Sequence, residues 1–170
     1  MAQGDIEIIN DSGFGVKEFV VDDRTTSGQS ATFKPGEVVK RDVNYVKLID
    51  TGDVAIGSDV LAGLVTKTST ETSSADGVVD VDVFGPGTMI RGKATTTTNV
   101  DTAAEILAIK LNYIYFDNDG TNITIDENDT SDPNKACLCV IDGDYEKYTL
   151  DCLVHINATL FGSLVGQTMD

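Results

Sequence analysis

DGVVDVDVFGPGT, residues 76–88, places Val79, Val81 and Val83 at every second position with Asp80 and Asp82 between them. A period of two puts the valines on one face of a strand and the aspartates on the other, whereas a helix would scatter both sets around its axis. Asp76-Gly77 opens the strand and Pro86-Gly87 turns the chain after it. The next run, GPGTMIRGKATTTT, reads as another extended piece, with Met89 and Arg91 facing away from Ile90. Upstream, YVKLID (45–50) and VLAGLVTKTS (60–69) read as strands around turns at Gly52 and Gly57.

Composition points the same way. Val, Thr and Ile supply 51 of the 170 residues, and their β-branched side chains favour extended backbone. The expected fold class is all-β, mainly strand with one short helix. That helix is expected in TNVDTAAEILAIKLNY, where Thr102 and Glu105 have capping-box spacing and Ala103, Ile106, Leu107 and Leu111 recur at helical intervals. About ten residues of it should plug one end or side of the sheets. Beyond it, LNYIYFDNDGTNITID and ACLCVIDGDYEKYTLDCLVHINATLFG read as hairpins, with Asp119-Gly120 and Asp142-Gly143 as turn candidates. The end of the chain, SLVGQTMD, carries no readable signal.

Residues 1–45 differ in texture from 46–170. Short apolar pieces, Ile6 with Ile8 and then Val16, Phe19 and Val21, are broken by Gly and Ser clusters, which suits an extended N-terminal arm with strand segments. An ordinary edge hairpin of the main domain fits the same residues. The whole length is enough for one domain with a core, or a core plus an arm.

Charge narrows the partners. Twelve Lys and Arg stand against 28 Asp and Glu, a net charge of −16, which repels a phosphate backbone, so no direct nucleic-acid partner is expected. The acids are dispersed, as on a solvated surface. No apolar run approaches the roughly 18 residues of a membrane span, and MAQGDIEIIND lacks the basic start and apolar block of a secretion signal. A soluble chain is expected, with no membrane partner. Cys137, Cys139 and Cys152 are odd in number and match no disulfide framework, which fits a reducing compartment.

The candidate chemistry is thin. DNDGTNITIDEN (117–128) resembles a calcium loop, but counting from Asp117 the glycine position holds Asn122 and the bidentate position holds Asn128. Its flanks alternate as strands, so it reads as a hairpin with an acidic tip; DENDTSDP (126–133) reads as a polar loop. Gly87 to Ala94 has phosphate-loop spacing, yet Ala94 lacks the hydroxyl that holds magnesium and the following threonines favour extended chain. Gly13-Phe14-Gly15 begins a dinucleotide fingerprint that Glu18 breaks. Cys137, Cys139, Cys152 and His155 would need a bulge to form a zinc site, and small buried side chains are the simpler reading for the cysteines. No Gly-x-Ser-x-Gly elbow occurs. No enzyme activity, cofactor or metal is expected.

One stretch carries a resemblance. TSTETSSADGVVDVDVFGPGTMIRGKATTTTNVDTAAEI, residues 68–106, is similar to a segment of tailed-bacteriophage capsid decoration (cement, or head-stabilisation) proteins: an Ala-Asp-Gly-hydrophobic strand, a Pro-Gly turn, Arg-x-Lys-Ala, and Asp-Thr entering a short helix. YIYFDNDGTNITIDEN, CVIDGDYEKYTLDCLVHI and the early VKEFVVDDRTTSGQSATFKPGEVVKR follow the same order of elements. The resemblance implies a β-sandwich or β-tulip-like barrel that forms homotrimers. It further implies synthesis in the host cytoplasm and a final place in the virion, on the capsid exterior, bridging subunits of the major capsid protein at three-fold or quasi-three-fold positions. Residues 1–45 would then be the capsid-docking arm, with Ile6, Ile8, Phe14 and Phe19 as capsid-contact candidates, and 46–170 the β-rich decoration domain. The alternative is a head-fibre or tail-associated adhesin module that binds a host surface.

Overall fold

Alternation governs residues 77–83 as expected: Val79, Val81 and Val83 are buried, while Val78, Asp80 and Asp82 keep partial exposure. The computed structural model describes residues 6–11, 13–49, 52–54, 60–128 and 136–160. In chain order its elements are β1 (Glu7–Asn10), β2 (Val16–Val21), the single turn α1 (Arg24–Ser27), β3 (Val38–Asp42), β4 (Tyr45–Leu48) and β5 (Gly52–Val54). There follow β6 (Leu61–Val65), β7 (Gly77–Val83), β8 (Met89–Lys93), α2 (Ala103–Ile109), β9 (Tyr113–Asn118), β10 (Ile123–Asp126), β11 (Leu138–Asp144) and β12 (Thr149–Val154). The chain is all-β, and among the described residues α2 is the one short α-helix beyond the turn α1.

Two antiparallel sheets result. One runs β1-β8-β12-β11-β9-β10, with β5 joined to β9; the other runs β2-β7-β6-β3-β4. Both bend far enough that their ends approach. In the first sheet, Ala94, just past β8, bridges to Ile125 of β10, and the Thr95 N–H donates to the Ile125 carbonyl at 2.8 Å. In the second, β2 and β4 lie near one another. β6 runs close against β7 at Gly63: a Cβ there would collide with the Asp82 carbonyl oxygen, so only glycine fits.

Two apolar clusters form, one shared between the sheets and one belonging to the second sheet. The larger gathers Ile6, Ile90, Ile114, Phe116, Ile125, Leu138, Val140, Leu150 and Cys152 of the first sheet with Val38, Leu61, Leu64 and Phe84 from the second. Phe84 and Phe116 stack with ring centroids 6.5 Å apart, so this cluster joins the two sheets. The smaller holds Val21, Phe33, Val39, Val46, Ala62, Val65, Val79 and Val81. Phe33 reaches it from the loop after α1, where its N–H donates to Ser69 Oγ at 2.7 Å.

Several local expectations change. The helix is seven residues long and buries only Ile106; Ala103 and Leu107 are exposed, and Leu111 lies beyond the helix with a left-handed φ of 68°. Gly52 opens a strand rather than making a turn. Asp142-Gly143 lies inside β11, and the turn falls at 145–148. Cys137 precedes β11 and joins the core, while Cys139 is half-buried; the two do not share a face as strand neighbours would. Gly57, most of the 126–133 loop and SLVGQTMD lie outside the described residues.

Candidate functional site

The N-terminal stretch runs along both sheets. β1 pairs with β8, Glu7 opposite Arg91 and Ile8 opposite Ile90, and β2 pairs with β7 over its full length. Between them Gly13 (φ 83°) and Gly15 (φ 62°) supply left-handed backbone that other residues adopt at a cost.

The four residues singled out from sequence separate here. Ile6 is 4% exposed and belongs to the main core. Ile8 is half-buried against the same core, and Phe19 is half-buried against the smaller one. Phe14, between the two glycines, is 40% exposed. Beside it the structure adds two residues that sequence reasoning passed over, Val16 at 51% and Val20 at 47% exposure. They project from β2 on the side opposite Phe19 and Val21, in register with Asp82 and Val78 of β7. The missed signal was in VKEFVV itself, whose alternation offers two faces, Val16/Glu18/Val20 and Lys17/Phe19/Val21. Each contains apolar residues, so the string alone does not say which turns inward.

This surface is acidic as well as apolar. Glu18 stands opposite Asp80, and Asp82 stands beside Val16. Burial raises the Asp82 pKa above the usual carboxylate range, with a smaller push from Asp11, and Asp82 Oδ1 is closed to solvent without a hydrogen-bond donor. A partner bearing apolar and basic groups is the chemical complement of such a face.

Where β2 approaches β4, Asp22, Asp23 and Asp76 hold carboxylate oxygens within 4.8 Å of one another. Their hydrogen bonds give them structural work. Asp23 caps α1 by accepting from the Thr26 N–H and hydroxyl and from the Thr25 N–H, which holds its pKa low. Asp76 accepts from the Tyr45 hydroxyl at 3.2 Å and from the Asp23 N–H at 3.1 Å. Desolvation raises Asp22, and both neighbouring carboxylates add to the rise.

The remaining candidates resolve into scaffold. The 117–128 stretch is the β9–β10 hairpin, and Asp119 Oδ1 accepts the Thr121 and Asn122 N–H groups at 2.7 Å each, closing the tip on itself. Residues 89–93 of the phosphate-loop spacing are strand. His155 Nδ1 accepts from the Asn157 N–H at 3.3 Å, and Cys152 lies fully buried. No helix among the described residues is long and apolar enough to cross a membrane.

A second exposed surface is the outer side of the first sheet. Met89, Leu153, Cys139 and Tyr113 are neighbours in register across β8, β12, β11 and β9, and form one apolar row. Beside it Arg91 grips Asp151 through two bonds of 2.7 and 2.8 Å and lies 3.8 Å from Glu7. No protein-family model, curated protein or solved structure matches the chain.

Proposed function

We propose that this chain is a structural protein of a tailed-phage particle, a homotrimer that decorates the outside of the head and reinforces it by bridging major capsid subunits. The observation that carries the reading is the apolar stripe of Phe14, Val16 and Val20 left on the surface beside β7. Covering a half-exposed valine is worth about 0.8 kcal/mol, so one stripe makes a modest contact that many copies on a symmetric shell multiply. Glu18 and Asp82, beside an Asp80 that pairs with Lys67 at 3.8 Å, support a basic counterpart on the capsid. For self-association, the row of Met89, Leu153, Cys139 and Tyr113 supports an apolar contact surface between copies. The resemblance of residues 68–106 to decoration proteins supports the same assignment.

Quantitative mass spectrometry of density-purified particles carrying this chain tests the role. A copy number comparable to the major capsid protein supports a coat; a far lower number moves the assignment to a fibre or tail adhesin, and absence from the particle removes it from the virion. The contact is tested by Val16→Thr and Val20→Thr with purified heads, which add no charge to a face that already carries Glu18, Asp80 and Asp82. Truncation is the wrong tool, because it removes core residue Ile6 along with the stripe. The double variant should melt as the parent does, within about 0.5 kcal/mol, and bind heads at least roughly ten-fold more weakly. Undiminished binding sinks the stripe as the contact.

A further inference from the structure

Between Val21 and Phe33, both fully buried, the chain makes a detour over residues 22–32, none of which is buried. Polar bonds tie this detour down. The Arg24 N–H donates to the Thr72 carbonyl at 3.0 Å, the Asp23 N–H to Asp76 Oδ1 at 3.1 Å, and the Thr25 hydroxyl to the Ser73 carbonyl. The stretch beneath it runs beside β7, with the Thr66 and Thr70 N–H groups donating to the Asp80 and Val78 carbonyls at 2.9 and 3.0 Å. Ser69 Oγ accepts the Phe33 N–H from this stretch, and alternation puts Glu71 on the same side, under the detour.

What the detour covers is polar and unpaired. Glu71 is 3% exposed, and neither of its carboxylate oxygens has a hydrogen-bond partner. Gln29 Nε2 and Oε1, Ser27 Oγ and Arg24 Nε are likewise closed to solvent without a partner. Of the eight such side-chain atoms among the described residues, six belong to these four side chains. Closed to solvent, they are beyond the reach of water while the detour is down. A polar group buried without a partner loses its hydration and gains nothing in return, whereas in water it is fully solvated. Closing this segment therefore makes a few bonds to residues 72–76, buries no residue of its own and dehydrates six polar atoms.

We propose that residues 22–32 form a strap that opens as one unit while both sheets stay folded, with Val21 and Phe33 as its fixed ends. Opening hydrates Glu71 and Gln29, and it removes one wall of the cavity of about 430 Å³ that Gly28, Gln29 and Thr32 share with Leu48 and Ile123. The strap stands or falls independently of the particle role. Native-state hydrogen exchange of the full chain, followed amide by amide, tests it. The informative amides are those of Asp23 and Arg24, whose bonds tie the strap down, and of Thr26 and Ser27, whose single turn does not persist once released. They should share one opening equilibrium, exchange roughly a hundred-fold or more faster than Val79 and Val81 of β7, and depend little on urea. Gln29→Met with Glu71→Met removes four of the unpaired atoms at similar side-chain length, and should slow strap exchange roughly ten-fold or more. Gln29→Met alone should slow it in the same direction, and serves if melting shows the double variant to be misfolded. Strap amides as protected as those of β7 overturn the proposal, and so does unchanged strap exchange in the folded variants.

Discussion

Asp119 shows how one side chain fixes a turn and sets a pH dependence. The Asn122 and then the Thr121 N–H groups hold its pKa below the usual carboxylate range. The unfolded chain therefore binds more protons than the native one across the window between the lowered and the ordinary value, and stability rises with pH through that window. The contribution is fully present above the ordinary value and is lost as pH falls through the lowered one. Asp119→Asn keeps an oxygen that can accept the same N–H groups but removes the charge. Urea titrations across the acid range should find variant and parent equally stable at the lowest pH and separated above the carboxylate range; parallel curves throughout would contradict this account. Glu37 works in the opposite sense. Its burial-raised pKa makes the native chain bind the extra proton, so its contribution falls as pH rises through the window above the ordinary value.

At the scale of elements, α2 was legible from its first turn and misleading in its face. Thr102 accepts the Glu105 N–H at 3.3 Å, and the Glu105 carboxylate accepts the Thr102 N–H at 3.0 Å, the reciprocal cap that the spacing implied. Thr102→Ala should cost about 1 kcal/mol in a denaturant titration. The apolar periodicity, in contrast, suggested a wide buried stripe, yet Ile106 alone is buried while Leu107 is 69% exposed. A helix of two turns has one row of contacts to give to a sheet, and Ile106 fills it against Gly143. Spacing names the residues that could turn inward; only the neighbouring strand selects among them. The same limit applied to β2, where two apolar faces competed and the Phe19 and Val21 side met a core.

Over the whole molecule, the decisive contacts join residues far apart in the chain. The Phe84–Phe116 stack belongs to the cluster that ties the second sheet to the first. Each truncation to alanine should cost about 3–5 kcal/mol, and the double variant should cost less than their sum because the two rings share one contact; strict additivity in urea denaturation would show the pair to be uncoupled. The sequence by itself determined the all-β class, the strand at 77–83, the cap of α2 and the hairpin at 117–128, since each rests on residues within a few positions of one another. Tertiary structure alone decided that Ile6 belongs to the core and that Val16 and Val20 face outward. Those outcomes depend on pairings such as Val16 with Asp82, 66 positions apart. Alternation states that a strand has two faces, and the closing of the sheets around their clusters determines which face is covered.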